Sequence, residues 1–439
     1  MKEKQFLREL LVREVIPATG CTEVGAVALA TGWAVQALGC SADEVEEIRV
    51  EVDEGTYKNA LGAGIPGTGE TGLRFAAAMG ASLSERVDRG LQILENPSSE
   101  AIEKARALIE KNRTRIIRLQ DSKDIMIRSM VCSSKDEGSA VIRGSHDHVV
   151  GVERNGKPYH GAPVAEENFW ALAQKVKSLK YSALIDFIKE MNPSELPILR
   201  QAMEMNMHFA EEARKKAPSL SIGKVMEKHA GRGLTGKDLP AKVQFVTALA
   251  VEARMKGLDL PVMACAGSGN QGLVATIPVV ETAKVVDASE EDLMRALALS
   301  YLTTIYIKAY MGLMSPVCGC GVAAAVGAGC GMVFLLGGDV SQVEAQINNM
   351  VGTMAGIICD GAKSGCALKA LMAVGLAVES AYLSLENVRI PSTDGIVGRE
   401  VVDTLENLQR IIEAGMSSMH SAIVEVMETK GANGIESEE

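Results

Sequence analysis

Aromatic side chains are scarce in this sequence of 439 residues, where Phe, Trp and Tyr together make up 4% of the chain. A core of this composition has to pack small residues closely and fill the remaining gaps with methionine, of which there are 21. A surplus of positive charge is also lacking, because the formal net charge is −11. Without a basic face to neutralise phosphates, the protein is not expected to bind nucleic acid.

Histidines and long apolar runs are also few. Of the six histidines only His146 and His148 lie close together, so a histidine-rich metal site is not expected. With no thiol near them in sequence, we interpret these two as surface polar residues. The uncharged stretch 311–338 is rich in glycine, and its firm apolar run, 322–336, is shorter than a membrane-spanning helix requires. It is predicted to form a buried helical hairpin, and no membrane partner is expected.

No export signal is visible at the N-terminus. Residues 1–16 are charged throughout and amphipathic, without the apolar centre of a secretory signal. Nine cysteines in a chain of this kind indicate a reducing compartment. We therefore expect a cytoplasmic protein.

The pattern of apolar residues changes near Pro163, where we place a domain boundary. Before it, residues 45–53 and three runs between 115 and 154 alternate apolar and polar side chains, which predicts an antiparallel sheet with hairpins. After about residue 166 the pattern is helical. The predicted fold is α+β, with a smaller N-terminal α+β domain over 1–165 and an all-helical catalytic domain over 166–439.

Five of the nine cysteines lie between residues 315 and 369. Cys318 and Cys320 are two residues apart, so on a helix they would point to nearly opposite sides, and at most one is expected to face a shared ligand. Cys359 and Cys366 would be separated by about 10.5 Å of helical rise, but turn residues between them would let a loop bring both sulfur atoms together. We interpret three of these cysteines as ligands of an iron–sulfur cluster; the alternative is that they fill a glycine-rich core.

Another cysteine motif lies near the N-terminus. Residues 1–40 are predicted to form two helices separated by a break at 17–20, and Cys21, Thr22 and Glu23 follow the break. The positive end of the second helix would lower the pKa of Cys21 and give it thiolate character. The alternative is a small residue at a helix start.

Two glycine-rich loops are candidates for binding a substrate. The first, residues 62–72, lacks the lysine of a phosphate loop and is interpreted as a turn that lines a site. The second, residues 264–272, opens a helix, where backbone N–H groups suit a carboxylate or a phosphate. Either loop could instead be a structural turn. The candidate contact residues in the two loops are Gly67, Thr68, Ser268, Gly269, Asn270 and Gln271.

Together these segments resemble the iron–sulfur L-serine dehydratase family, and more closely its L-cysteine desulfidase branch, over nearly the whole chain. Residues 17–23, Pro-Ala-Thr-Gly-Cys-Thr-Glu, are similar to the N-terminal signature of that branch. Residues 266–278 are similar to the Asn-Gly-Ala-Ala-Gly-Ile-Ile-Pro segment of the dehydratases, and Tyr306-Ile-Lys308 is similar to the end of their Tyr-Lys-Glu-Asn helix. Residues 319–327 resemble the segment with their first cluster cysteine, and residues 357–366 resemble the segment with the other two.

The sequence also departs from these patterns. The spacing between Cys359 and Cys366 is shorter than in the serine enzymes, and Ala325 stands where those enzymes have Glu. Both departures favour the desulfidase branch. Gln271 stands where that branch commonly has His, so this position departs from the branch itself.

The resemblance implies a [4Fe–4S] cluster held by Cys320, Cys359 and Cys366, with Cys318 as the alternative to Cys320, and it implies no pyridoxal phosphate. Three thiolates leave one iron open to act as a Lewis acid on a leaving group. A base would remove the substrate's Cα proton, and β-elimination followed by hydrolysis would give pyruvate and ammonia. Cys21 is the candidate for this base, or for a thiolate that caps the open iron when no substrate is bound.

The expected protein is thus a lyase that acts on a small amino acid, with L-cysteine preferred to L-serine. L-serine ammonia-lyase activity on the same scaffold is the alternative. A non-catalytic iron–sulfur or amino-acid-binding protein is a third hypothesis, and it would not require Cys21. Thr22, Glu23 and Lys308 are assigned to substrate binding, Lys308 with charge balance as its other role. Whether the chain forms a homodimer stays open.

Overall fold

The computed structural model describes residues 2–119, 124–162, 174–218 and 221–432. It confirms the predicted α+β fold, in which strands are concentrated in the N-terminal part and helices dominate the rest. The strands are β1 (Val15–Thr19), β2 (Glu47–Asp53), β3 (Thr114–Leu119), β4 (Met126–Cys132), β5 (Glu137–Arg143), β6 (Val149–Arg154), β7 (Lys157–Pro158) and β8 (Pro261–Cys265).

The α-helices that lie wholly within the described ranges run from the N-terminus to the end of those ranges. They are α1 (Lys2–Glu14), α2 (Thr22–Leu38), α3 (Glu54–Ala60), α4 (Gly72–Ser82), α5 (Ser99–Glu110), α6 (Tyr181–Glu190), α7 (Pro197–Lys216), α8 (Ile222–Gly231), α9 (Leu239–Met255), α10 (Gly269–Val285), α11 (Glu290–Met311), α12 (Ala325–Leu335), α13 (Val340–Met354), α14 (Cys366–Leu385), α15 (Val401–Gly415) and α16 (Met419–Ala432). A π-helical turn, Cys320–Ala324, precedes α12.

The main sheet has six strands in the order β3-β2-β4-β5-β6-β7. All its neighbours are antiparallel, as predicted, except β2 and β3, which run parallel. Helix α2 packs on β4, β5 and β6 and is buried nearly all round, because Glu23 is its only charged residue. Two glycines allow this close packing: a Cβ at Gly138 would lie 2.1 Å from the carbonyl oxygen of Ala34, and one at Gly80 would lie 2.2 Å from that of Ala28.

The helical part is built around α10, α11 and α12, which pack on one another. Small residues let α12 approach α11, since a Cβ at Gly327 would lie 2.4 Å from the carbonyl oxygen of Ser300. The predicted buried hairpin over 311–338 is therefore wrong in form: the stretch is a loop, the π-helical turn and the single buried helix α12. Among the described residues one helix, α14, is long and apolar enough to cross a membrane, and 56% of that stretch is buried inside the protein.

One pair of strands joins the two halves of the chain. The predicted break at 17–20 is largely the strand β1, which pairs antiparallel with β8, with Pro17 opposite Met263 and Ala18 opposite Val262. Strand β8 lies in the region that was expected to be entirely helical. The boundary predicted at residues 165 and 166 falls outside the described residues and stays a prediction.

Candidate active site

The two cysteine-bearing loops lie side by side. Val317 and Ile358 form an antiparallel bridge, in which the backbone N–H of Cys318 donates to the carbonyl of Ile357 (2.8 Å) and that of Cys359 donates to the carbonyl of Pro316 (2.7 Å). Cysteines that are about forty residues apart in sequence are thus brought to the same place.

Four cysteines line one cavity of about 80 Å³: Cys318, Cys320, Cys359 and Cys366. The expectation that Cys318 and Cys320 point to opposite sides is wrong, because Cys318 precedes the π-helical turn that begins at Cys320. A hydrogen bond between their thiols lowers the pKa of Cys318 to about 6 and raises that of Cys320. Burial raises the pKa of Cys366 to about 11.

The loop with Cys359 is held against α3 of the N-terminal part. Lys58, which is fully buried, donates from Nζ to the carbonyl of Cys359 (2.7 Å), and the N–H of Ala362 donates to the carbonyl of Asn59 (3.0 Å). Gly361 has φ +101°, and a Cβ there would lie 2.6 Å from the carbonyl oxygen of Lys58, so both its conformation and this contact require glycine. The fold of one half of the chain therefore sets the position of a thiol in the other half.

Cys21 and Glu23 line the same cavity from the start of α2. The Cys21 thiol donates to Glu23 Oε2 (2.7 Å), and Glu23 also accepts from Asn59 Nδ2 (2.7 Å, to Oε1) and Thr22 Oγ1 (3.1 Å, to Oε2). Burial raises the pKa of Cys21 well above its usual value, and the Glu23 carboxylate raises it further, against the opposing charge of Arg254. The lowered pKa predicted from the helix start is therefore wrong, because burial and a neighbouring anion outweigh the helix dipole.

Arg254, on α9, is a cavity residue that carries a buried positive charge. Its Nη1 donates to Asn270 Oδ1 (3.0 Å) and its Nη2 donates to the carbonyl of Gly20, while Nε is buried without a hydrogen-bond partner. The guanidinium lies against the first residue of α10, since a Cβ at Gly269 would lie 2.6 Å from it. A cation and a helix N-terminus thus adjoin each other at this part of the cavity, an arrangement suited to a carboxylate.

Ser268, Gln271 and Lys308 also line the cavity. Gln271 lies against the backbone of Gly319, and its Oε1 is buried without a partner. Lys308 donates from Nζ to the carbonyls of Gly312 (2.6 Å) and Leu313 (2.8 Å), which fixes its ammonium group. Burial lowers the pKa of Lys308 to about 8, against the opposing effect of the nearby cysteines.

Four of the predicted site residues are not part of the cavity lining. Gly67 and Thr68 belong to a loop that folds on itself, with Thr68 Oγ1 donating to the carbonyl of Ile65 (2.9 Å). Thr22 contacts Glu23, and Gly269 lies beneath Arg254. The structure therefore gives Thr22 and Gly269 supporting positions and does not bring Gly67 or Thr68 into the cavity.

The cavity also contains residues that the sequence analysis did not predict. His146 was interpreted as a surface residue, but it is 3% exposed and lines the cavity, and His148 is buried as well. Asn59 and Arg254 were not singled out. The one available signal was the position of Arg254, in an otherwise mostly apolar run of α9.

The donor chemistry of the cavity fits an iron–sulfur cluster. In the parts of the chain that the structure describes, no three His, Cys, Asp or Glu side chains are arranged to hold a single metal ion. Four thiols around one cavity are nevertheless the donor set that a cluster takes, because its ligands surround several irons rather than one. None of the nine cysteines, all of which are described, forms a disulfide.

Comparison with known proteins places the chain in a family. A family model described as serine dehydratase alpha chain matches residues 88–425. A UPF0597 protein of Clostridium perfringens is 35% identical over 98% of this chain and 99% of its own length, and one of Caldanaerobacter subterraneus subsp. tengcongensis is 36% identical over 97% and 99%. A UPF0597 protein of Bacteroides fragilis is 36% identical over 98% and 99%. Since both the model and these relatives cover most of the chain, this protein belongs to the serine dehydratase alpha chain family.

Proposed function

We propose that this protein is an iron–sulfur-dependent lyase that converts L-cysteine to pyruvate, ammonia and sulfide by β-elimination. The observation that carries the proposal is the single cavity in which four cysteines adjoin a buried arginine and the N-terminus of α10. Thiols suit a cluster, and the cation with the helix start suits an amino acid carboxylate. Membership of the serine dehydratase alpha chain family supports the reaction class.

Cys359, Cys366 and either Cys320 or Cys318 would hold the cluster. When bound, the cluster supplies a Lewis-acidic iron that withdraws electrons from the β-leaving group. Lys308 lies near these cysteines, so its ammonium group offsets part of their negative charge. Arg254 and the polar side chains of Ser268, Asn270 and Gln271 would bind and orient the substrate carboxylate.

Cys21 had two expected roles, as base or as a cap on the open iron. Its thiol proton is donated to Glu23, and its pKa is raised by burial, so the arrangement favours the cap over the base. A thiol loses its proton when it binds a metal, and the Glu23 carboxylate, 2.7 Å away, is placed to accept that proton. The reaction then needs another group to remove the Cα proton.

Anaerobic purification with iron and acid-labile sulfide analysis tests the cluster. Wild-type protein should contain a four-iron cluster in each chain, and Cys359→Ser or Cys366→Ser should lose most of it. Cys132→Ser, at the end of β4 and outside the cavity lining, is the matched control and should retain full iron. Full iron in both of the first two variants would refute the ligand assignment. Comparing Cys318→Ser with Cys320→Ser identifies the remaining ligand, for which we expect Cys320.

The same preparations distinguish the two candidate substrates. Cluster-loaded enzyme should release sulfide and pyruvate from L-cysteine in equal amounts without added pyridoxal phosphate. L-Serine should be the poorer substrate, since sulfur is a better ligand than a hydroxyl group for iron with thiolate ligands. The name of the matching family model favours L-serine as the alternative, and faster turnover of serine than of cysteine would establish it.

Nine free cysteines are consistent with a reducing cytoplasm, which we propose as the location. The absence of nucleic acid and membrane partners and a possible homodimer stay predictions. Gel filtration of the cluster-loaded protein tests the last of these.

A further inference from the structure

A buried histidine reaches the cavity from the sheet of the N-terminal part. His146 lies in the turn between β5 and β6, which is fixed by hydrogen bonds from Gly144 N to the carbonyl of Ile125 (3.0 Å) and from Ser145 Oγ to Asp147 Oδ1 (2.9 Å). Its ring lies against the turn before α10, where a Cβ at Gly267 would be 3.5 Å from Nδ1. The hairpin therefore carries an imidazole to the loop that precedes the proposed carboxylate site.

The ring of His146 has no hydrogen-bond partner among the described residues at either Nδ1 or Nε2, although it is 3% exposed. A buried polar group without a partner costs about 1–3 kcal/mol, so a histidine with only a packing role is usually paired. His148, two residues away and also buried, shows such pairing through Nδ1, 2.7 Å from the carbonyl of Arg143, and it is not part of the cavity lining. Of these two neighbours, only His146 faces the cavity with both ring nitrogens available.

The charged groups that act on His146 are the carboxylates of Glu23 on α2 and Asp53 at the end of β2. Both already have partners. Glu23 accepts from Cys21 and Asn59, and Asp53 accepts from the backbone N–H of Thr56 (2.8 Å) and of Met126 (2.9 Å). They therefore surround the imidazole with negative charge, which increases its basicity, without occupying its ring nitrogens.

We propose that His146 is the acid–base group that removes the substrate's Cα proton, an inference that rests on the proposed function. An unprotonated ring nitrogen takes the proton, and the electron pair of the Cα–H bond forms the Cα=Cβ double bond. The Cβ–S bond breaks, and its electron pair leaves with sulfur as hydrosulfide. The imidazolium then returns its proton to solvent, and aminoacrylate is hydrolysed to pyruvate and ammonia. The same step applies to serine, with hydroxide as the leaving group.

The test compares His146→Gln with His148→Gln in cluster-loaded enzyme. We expect His146→Gln to retain iron and sulfide, to keep its KM within about threefold and to lose about 100-fold or more in kcat. His148→Gln should stay within a few-fold of wild type. A His146 variant with more than a third of wild-type kcat would overturn the proposal.

Two further measurements separate chemistry from folding. In D₂O, wild-type enzyme should exchange the Cα proton of L-alanine, which has no leaving group, and His146→Gln should not; proton NMR follows the exchange. Added imidazole should restore turnover to His146→Gly in proportion to its concentration. Loss of activity in both histidine variants without imidazole rescue would assign His146 a structural role and overturn the proposal. If wild type turns over neither cysteine nor serine, the proposed function itself fails, and this inference fails with it.

Discussion

Cys21 is the residue at which sequence and structure differ most in their consequences. The helix start predicted a thiolate, whereas the structure shows a buried thiol that donates to Glu23. We expect Cys21→Ala to assemble the cluster, because the other cavity cysteines remain, but to change its resting electronic spectrum and to lose at least tenfold in turnover. The physical reason is that water would replace the thiolate at the open iron. Absorption and paramagnetic resonance spectra of the anaerobic protein check the first effect, and sulfide release checks the second.

Cys21→Ser serves as the closest variant in size. A hydroxyl group is a poorer iron ligand than a thiolate, so this variant should be almost as inactive as the alanine variant. Unchanged spectra together with lost turnover would mean that Cys21 acts as a base after all. Near-normal turnover in Cys21→Ala would reduce the residue to a small packing side chain.

The individual residues of the site were predictable where they form motifs. Cys359, Cys366 and the Ser268–Gln271 loop were identified from spacing, glycine content and resemblance, and they line the cavity. Arg254 and His146 could not be identified in that way, because each stands alone in its segment and reaches the cavity only through tertiary packing. The pKa of Cys21 was unpredictable for a related reason: it depends on burial and on Glu23, neither of which a helix start reveals.

At the scale of elements, the junction of α1 and β1 contains a buried acid. Glu14, the last residue of α1, is 9% exposed, and burial, together with the charge of Asp147, raises its pKa to about 8. The folded state therefore binds this proton more tightly than the unfolded state does. The resulting stabilisation is complete below pH 4.5 and is lost as the pH rises to about 8.

We therefore expect Glu14→Gln to raise the melting temperature by several degrees at pH 8 and to leave it unchanged near pH 4.5. Glutamine keeps the shape of the side chain and has no charge to bury. Calorimetric scans across this pH range are the measurement, and Glu3→Gln, exposed on the same helix, is the control that should have no effect at either pH. Equal melting temperatures for Glu14→Gln and wild type at pH 8 would contradict the raised pKa.

Elements were predictable in proportion to their periodicity. The alternating runs gave the main sheet and the long apolar periods gave the helices, but the parallel pairing of β2 with β3 and the pairing of β1 with β8 were missed. Both pairings join segments that are distant in sequence, and β1 contains Pro17, which reads locally as a break. The form of the 311–338 stretch was also missed, because uncharged small residues suit a buried loop and a buried helix equally well.

For the whole molecule, the important feature is that both halves of the chain build the cavity. Its walls include α2, α3 and the β5–β6 hairpin from the N-terminal part, and α9, α10 and both cysteine loops from the helical part. Lys58 and the β1–β8 pair add contacts between the halves outside the cavity. A group bound in this cavity should therefore stabilise both parts together.

The prediction at this scale concerns thermal unfolding. A cluster that binds only the folded state raises the unfolding free energy by mass action, and because its site spans both parts, the cluster-loaded protein should melt in one transition at least 5 °C above the cluster-free protein, by an order-of-magnitude estimate. Anaerobic calorimetry before and after cluster reconstitution measures this shift. Cys132→Ser should show the same shift as wild type, whereas Cys359→Ser should show little of it. Two separate transitions, of which only the later one moves on reconstitution, would mean that the cavity belongs energetically to the helical part alone.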